Sequence, residues 1–554
     1  MDNDRLKQGR ITIEEFRSIY RIIAHREEIV EIFNTYSGNQ KFLVEKNLLQ
    51  FLIQEQYILD MSQNIAFEII QKYEPIEEVK RAHRMSFEGF IRYMGSSECL
   101  IFKPDCGRVY QDMTQPLNDY FISSSHNTYL ISDQLLGPSD LWGYVSALTS
   151  DYPVVLSLEN HCSPSQQEVM ADTLQSVFGD ALLSDMLDDF PDKLPSPEVL
   201  KFKVLVRNKK IGTLRETRER KGSNKHGQVE EFEEIYQDEI KGSETLIGSE
   251  DNPGKEDEII SVAGLPLFKK RKVKVALALS DLVIYTKAEK FRSFQHSRLY
   301  QQFNESNSIG ETEARKLLKL RAHEFVLHTR RFITRIYPKA TRTDSSNFNP
   351  QEFWNIGCQM ATPGLPMDLQ NGKFLDNGGS GYILKPQFLR DIKTQFNPNK
   401  PPNQSDPVTL TIRLISGIQL PPSNHSSSNK ADALVILELF GVPNDQTKQQ
   451  TRVIKRNEIK GLWLLALAKD AIETHSYNIW IHNSVIFARR EISFSPRWNE
   501  TFTFIIQVPE LALMRFVVES QGLITGNEFL GQYTLPVLSM NKELPSCSSV
   551  FQNG

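Results

Sequence analysis

From Asp105 to Asn208 short apolar runs alternate with helix-length amphipathic ones, and this alternation limits what the chain can fold into more than any other feature. FISSSH, VVLSLE and KFKVLV read as strands, with DLWGYVSAL and QQEVMADTLQSVF as helices between them. Strands joined through helices run parallel and bury both faces, so the pattern predicts a parallel α/β architecture. The alternation stops at Ile211 and resumes from about Val275 to Pro386, with KVALALSDLVIY, FITRIYP and GYILKP.

The flanks follow other rules. The first ~95 residues carry apolar side chains at spacings of three and four between charges, as in IEEFRSIYRIIAHREEIVEIF, which predicts helices. Their opening has the outline of a calcium loop, with Asp4 at position 1, Gly9 at 6, Ile11 at 8 and Glu15 at 12. Leu6 and Gln8 stand at positions 3 and 5, where such loops place oxygen ligands, so a scaffold without calcium is expected there. From Pro407 to Leu538 the runs VTLTIRLISGIQL, ALVILELFG, ETFTFIIQV and RFVVES, separated by turn residues, predict a β-sandwich.

Between the two alternating parts, Ile211 to Gly264 is rich in Glu, Lys, Gly and Ser and poor in aromatics, the composition of a disordered linker. Its middle is acidic and its exit, Lys269 to Lys274, is basic. That cluster reads as a nuclear-import signal, a membrane-facing patch or a solvated strand entrance.

A length of 554 residues suggests roughly three or four domains. The net charge of −5 argues against nucleic acid as a partner. Five cysteines without a C-x-x-C predict reduced thiols and a cytosolic or nuclear setting. No leader opens the chain, and no apolar run approaches the roughly 18 residues of a membrane span, so work on lipid would be done from the surface.

The chemistry-bearing residues gather at strand ends. His126 and Asn127 follow the first strand of the α/β part, and Glu159 ends VVLSLE. An imidazole, an amide oxygen and a carboxylate suit phosphoryl chemistry with a hard cation.

SSSHNTYL, YPVVLSLENHC, LPSPEVLKFKVLV, ALSDLVIY, RIYPKATRTDSSNFNPQEFWNIGCQM and LDNGGSGYILKP, in this order, resemble the X and Y halves of eukaryotic phosphoinositide-specific phospholipase C. The resemblance covers nearly the whole chain. It implies a multidomain α+β protein: an EF-hand-like helical region over 1–95, the X half of a TIM-type (β/α) barrel over 105–210, a charged linker over 211–264, the Y half over 265–386, and a C2 sandwich over 405–540. It also implies cleavage of phosphatidylinositol 4,5-bisphosphate at a membrane surface, with Ca2+ as cofactor, by a monomer in the cytoplasm, around the nucleus or in it. His126 would donate a hydrogen bond to the developing phosphorane, and Asn127 and Glu159 would be calcium ligands. Arg207, Lys209, Ser280, Arg335 and Tyr337 would hold the ring phosphates and the inositol. The first of these cations is commonly Lys in the family; Arg binds phosphate well.

The family also has a Glu-x-Asp and a second histidine between the His-Asn pair and the SLEN strand. Here VSAL runs into TSDYPVVLSLEN at Leu148–Thr149, a join that implies the loss of roughly forty residues, about two strands of the barrel. Calcium takes about six to eight oxygens, and a positioned proton donor contributes about 10²–10⁴-fold. Low turnover is therefore expected of this chain. CQMATPGLPMDL is also clipped, and the C2 region carries a foreign insert at about 457–493 that includes the apolar GLWLLALAKDA. Asp432 is the remaining acid of the C2 calcium loops, so calcium-independent lipid contact is expected there.

Overall fold

A computed structural model describes residues 27–56, 64–96, 99, 101–125, 150–222, 229–235, 261–262, 265–266, 270–339, 348–361, 368–400, 407–417, 420, 432–455, 496–522 and 526–541. His126, Asn127, the Asp4–Glu15 loop, the Leu148–Thr149 join and the insert at about 457–493 lie outside the described residues.

The N-terminal region is helical, as its periodicity predicts. Helices Glu27–Ser37, Glu45–Gln56, Asn64–Tyr73 and Phe87–Met94 pack around Phe33, Leu48, Phe51, Ile70 and Phe90. Two short strands, β1 (Phe42–Val44) and β2 (Arg84–Ser86), pair antiparallel between them.

In the X part, β3 (Tyr120–Ile122), β4 (Val154–Ser157) and β5 (Val204–Arg207) are short strands, and helix Pro164–Phe178 crosses over from β4 to β5. Ser163 and Gln166 start that helix with a reciprocal capping box. β4 and β5 are parallel, with Ser157 opposite Arg207. β5 is buried along its whole length, whereas β4 is only partly buried. Among the described residues no strand pairs with the far edge of β4.

The charged linker is described at 211–222, 229–235 and 261–262. Helix Leu214–Gly222 occupies its start. Thr213 and Glu216 cap the helix reciprocally, and Arg220 reaches Asp281 at 2.7 Å. Over this helix a local cap and the distant carboxylates Asp185, Asp188 and Asp281 supply order that composition does not show. Further on, β6 (Val229–Ile235) pairs antiparallel with β9 (Lys270–Ala276). The register sets Glu231 opposite Lys274, Glu233 opposite Lys272 and Glu234 opposite Arg271. Between them lie the two-residue strands β7 (Ser261–Val262) and β8 (Leu265–Pro266).

In the Y part, KVALALSDLVIY divides into the end of β9, a helical turn Leu277–Ser280 and the buried residues Val283–Tyr285. A parallel sheet follows in the order β10 (Lys287–Lys290), β11 (Glu305–Gly310), β12 (Thr334–Tyr337), β13 (Met360–Ala361). Ala288 donates its N–H to Asn208 O at 2.9 Å, which joins β10 to the end of β5. β14 (Tyr382–Leu384) pairs antiparallel with β3. Ile309 and Ile336 face helix Glu311–Thr329 in one core, while Tyr120, Ile122, Leu205, Ile333 and Tyr382 share another.

The C-terminal part is a sandwich. β15 (Val408–Ser416) pairs with β18 (Arg497–Ile506). The facing sheet runs β17 (Thr447–Gln450), β16 (Ala433–Phe440), β19 (Leu513–Ser520), β20 (Glu528–Pro536). Buried amides tie it to the Y part: Gln351 Nε2 donates to Leu511 O at 2.7 Å and Asn355 Nδ2 to Gly441 O at 2.8 Å. No helix among the described residues is long and apolar enough to cross a membrane. The four described cysteines are free thiols.

Candidate active site

The parallel strands β4, β5, β11 and β12 carry the charged candidates: Arg207 ends β5, Glu159 lies two residues past β4, and Arg335 is the second residue of β12. Arg207 is the last residue of β5 and is 4% exposed. Its Nε donates to Ser306 Oγ at 2.9 Å, its Nη1 to Ser157 Oγ at 3.2 Å and its Nη2 to Ser308 Oγ at 2.9 Å. Three hydroxyls from two other strands thus hold the guanidinium. β10 lies between β5 and β11, so Arg207 spans it to join a layer built from alternate strands, the packing rule of barrel interiors.

Arg335 stands on β12 directly opposite Ser308 of β11. Burial pushes its pKa down, and the Glu159 carboxylate opposes that push. Burial and the nearby Arg335 likewise lower the pKa of Arg207, from a starting value high enough that both guanidiniums stay charged at neutral pH. Two partly desolvated cations side by side, one of them held by neutral hydroxyls, make a site of strong positive potential. Such a site suits a multiply charged oxyanion.

Tyr337 is 37% exposed, and the Arg335 guanidinium lies 5.7 Å from its ring centre. Lys209, two residues beyond β5, is partly buried. Glu159 is exposed, with its Oε1 at 3.3 Å from His161 Nε2. Ser280 is fully buried, and its hydroxyl accepts the N–H of Ile211 at 2.8 Å. The structure therefore joins Arg207, Arg335 and Tyr337, sets Glu159 within electrostatic reach of Arg335, and places the Ser280 hydroxyl on the N–H of Ile211. Ser308 stands beside the cations.

Ser157, Ser306 and Ser308 were not singled out from the sequence. The signal was present in ESNSIG, where serines two apart fall on one face of a strand. Polar residues on the inward face of a parallel strand call for a buried charged partner.

The described donor set does not fit a calcium centre. No group of three or more His, Cys, Asp or Glu able to hold a metal occurs among the described residues. Glu159 offers at most two of the six to eight oxygens that calcium takes.

Comparison with known proteins matches these parts in order. The phosphoinositide-specific phospholipase C efhand-like model matches residues 19–104 and the Y domain model matches 279–388. The X domain model matches in two pieces, 113–151 and 147–210, which meet at the Leu148–Thr149 join. The C2 model also matches in two pieces, 408–464 and 480–549, on either side of part of the insert. The chain is 67% identical over 599 residues to 1-phosphatidylinositol 4,5-bisphosphate phosphodiesterase zeta-1 of Sus scrofa, covering 98% of this chain and 88% of the relative. It is 65% identical over 595 residues to the Homo sapiens protein of that name, with the same coverage. Both alignments are longer than the chain itself, as a deletion requires. The crystal structure of S. officinalis PLC21 superposes with a TM-score of 0.65 at 25% identity, over 96% of this chain and 66% of that one. With its X, Y, EF-hand-like and C2 parts matched and its barrel strands carrying the cations, the chain belongs to the phosphoinositide-specific phospholipase C family.

Proposed function

We propose that the chain recognises phosphatidylinositol 4,5-bisphosphate at a membrane surface and acts on it as a phosphodiesterase, releasing diacylglycerol and inositol 1,4,5-trisphosphate. The released trisphosphate would drive intracellular calcium release. The observation that carries this reading is the buried Arg207, at the end of β5, beside Arg335 of β12, in a chain that is 67% identical to a phosphodiesterase of that lipid. Arg207, Lys209 and Arg335 hold the ring phosphates and Tyr337 packs on the inositol. His126 donates to the phosphorane. Ser280 contributes by fixing the chain at Ile211 behind the cations.

A second reading, headgroup binding with turnover near background, is favoured by the split of the X match at the join and by the poor calcium donor set. Calcium held by Asn127 and Glu159 alone would bind weakly, leaving most of its oxygens to water and lipid.

The test is release of inositol trisphosphate from vesicles containing the lipid, by the purified chain, with and without calcium. Calcium-dependent release that is lost in His126→Ala establishes the phosphodiesterase. Vesicle binding lost in Arg207→Ala, with no release, establishes the second reading. Absence of both overturns the proposed function.

A further inference from the structure

We infer that Ser306 is a positioning residue for the headgroup site, acting through Arg207; this rests on the proposed reading of that site. Ser306 is 1% exposed, on β11, and does not face solvent. Its hydroxyl donates to Lys287 O at 3.0 Å. With its single proton committed to that carbonyl, its oxygen acts only as an acceptor, and the donor it accepts from is Arg207 Nε at 2.9 Å. The relay Arg207 Nε to Ser306 Oγ to Lys287 O therefore has a fixed direction. It anchors the guanidinium at the nitrogen nearest the side-chain stem, so that, together with the Nη contacts, it fixes the orientation of the whole plane.

The other two contacts complete the frame. Ser308, two residues along the same face of β11, receives Nη2, and Ser157 of β4 receives Nη1. Three of the five N–H groups of a guanidinium are thereby used by hydroxyls, and two are left for an anion. A carboxylate in place of any of these serines would neutralise the cation and compete with phosphate. A hydroxyl orients the cation without lowering its charge. An ammonium group has no planar fork for this frame to hold, so the frame is matched to Arg at this position.

The experiment is calorimetric titration of the full chain with inositol 1,4,5-trisphosphate, with thermal unfolding recorded for each variant. Ser306→Ala should raise Kd about tenfold, as for a lost hydrogen bond to a charged group, with a lowered melting temperature because Arg207 Nε and Lys287 O lose their partner while buried. Ser306→Thr keeps the hydroxyl and should restore the affinity. Ser306→Ala should add nothing in an Arg207→Ala background. Wild-type affinity in Ser306→Ala, with affinity lost in Arg207→Ala, overturns this inference and leaves the headgroup site standing. Failure of Ser306→Thr to rescue also overturns it, in favour of a packing role. Unchanged affinity in both Arg207→Ala and Arg335→Ala overturns the headgroup site and this inference with it.

Discussion

Gly310 and Tyr337 stand opposite each other on β11 and β12, and a Cβ added at Gly310 would lie 3.4 Å from both Cζ and Oη of the tyrosine. The ring thus rests on a residue with no side chain, next to the Arg335 guanidinium. Alanine would sit at ordinary contact distance, but a branched side chain would lift the ring. Gly310→Val should therefore weaken inositol trisphosphate binding about tenfold, equivalent to about 1.4 kcal/mol, an ordinary cost of overpacking. Gly310→Ala should bind nearly as wild type. Titration of both variants checks this, and equal affinities would show that the tyrosine ring does not touch the headgroup.

The helix at the start of the linker is held by several distant contacts: Lys221 reaches Asp185 at 2.9 Å, Arg218 reaches Asp188, and Arg220 makes the most shielded of them with Asp281. Arg220 and Asp281 are each 16% exposed and meet at 2.7 Å, while Arg220 also donates to Ile211 O at 3.2 Å. Asp281→Ala removes the carboxylate that this arginine meets at 2.7 Å. Stability should fall by about 2 kcal/mol, the scale of a hydrogen bond to a charged group that is shielded from water. Urea unfolding reads the loss. Amide exchange over Leu214–Gly222 should quicken in the same variant; unchanged exchange would mean that the Thr213 cap and the other two ion pairs suffice to hold the helix.

Much of this architecture is legible in the chain. The helical lobe, the two alternating parts and the sandwich follow from periods that burial imposes, and the structure has them in that order. Arg207, Arg335 and Tyr337 are expected together from the family pattern, and the structure sets Arg335 beside Tyr337 and within electrostatic reach of Arg207. The family pattern expects Ser280 at the headgroup; what it does not show is that its hydroxyl also accepts the N–H of Ile211, a partner 69 residues away in sequence. The serines that do hold Arg207 come from two strands, and Ser308 is 101 residues from it. No local pattern encodes such a partnership. The linker helix was missed for the same reason, since Asp281 lies 61 residues from Arg220.

The core of the Y part carries a pH-sensitive group. His328 is 4% exposed, its Nε2 has no hydrogen-bond partner, and the rings of Phe291, Phe294, Phe325 and Phe332 surround it. Burial, with a smaller push from Arg331, lowers its pKa to about 3. In the unfolded chain the group returns to about 6.5, so the unfolded state takes up the proton first as pH falls. Its contribution is whole above pH ~6.5 and is lost progressively towards pH 3, at up to about 1.4 kcal/mol per pH unit. Urea unfolding at pH 7.5 and pH 5 (about one and a half units below the free value) should show this loss. His328→Phe should flatten the slope over that interval; an unchanged slope would place the protonation elsewhere.

The join at Leu148–Thr149 gives the sharpest functional prediction. β4 is only partly buried and has no described strand on its far edge, while the X match restarts at residue 147. Barrel closure links strand number to tilt and stagger, so a segment restored at this join bears on both the edge of β4 and the groups that line the site. Inserting at Leu148–Thr149 the corresponding segment of the Sus scrofa relative should cover β4 and supply the carboxylates and the proton donor. Release of inositol trisphosphate should then rise by at least about 10²-fold, the lower range for a positioned acid alone. Arg207→Ala in the inserted chain should remove most of that gain, because the same cations position the lipid for the added groups. A gain that survives Arg207→Ala would mean that the cradle on β5 and β12 does not hold the reacting headgroup. No gain at all would point to the interrupted sandwich, whose amide contacts at Gln351 and Asn355 brace the Y strands from outside.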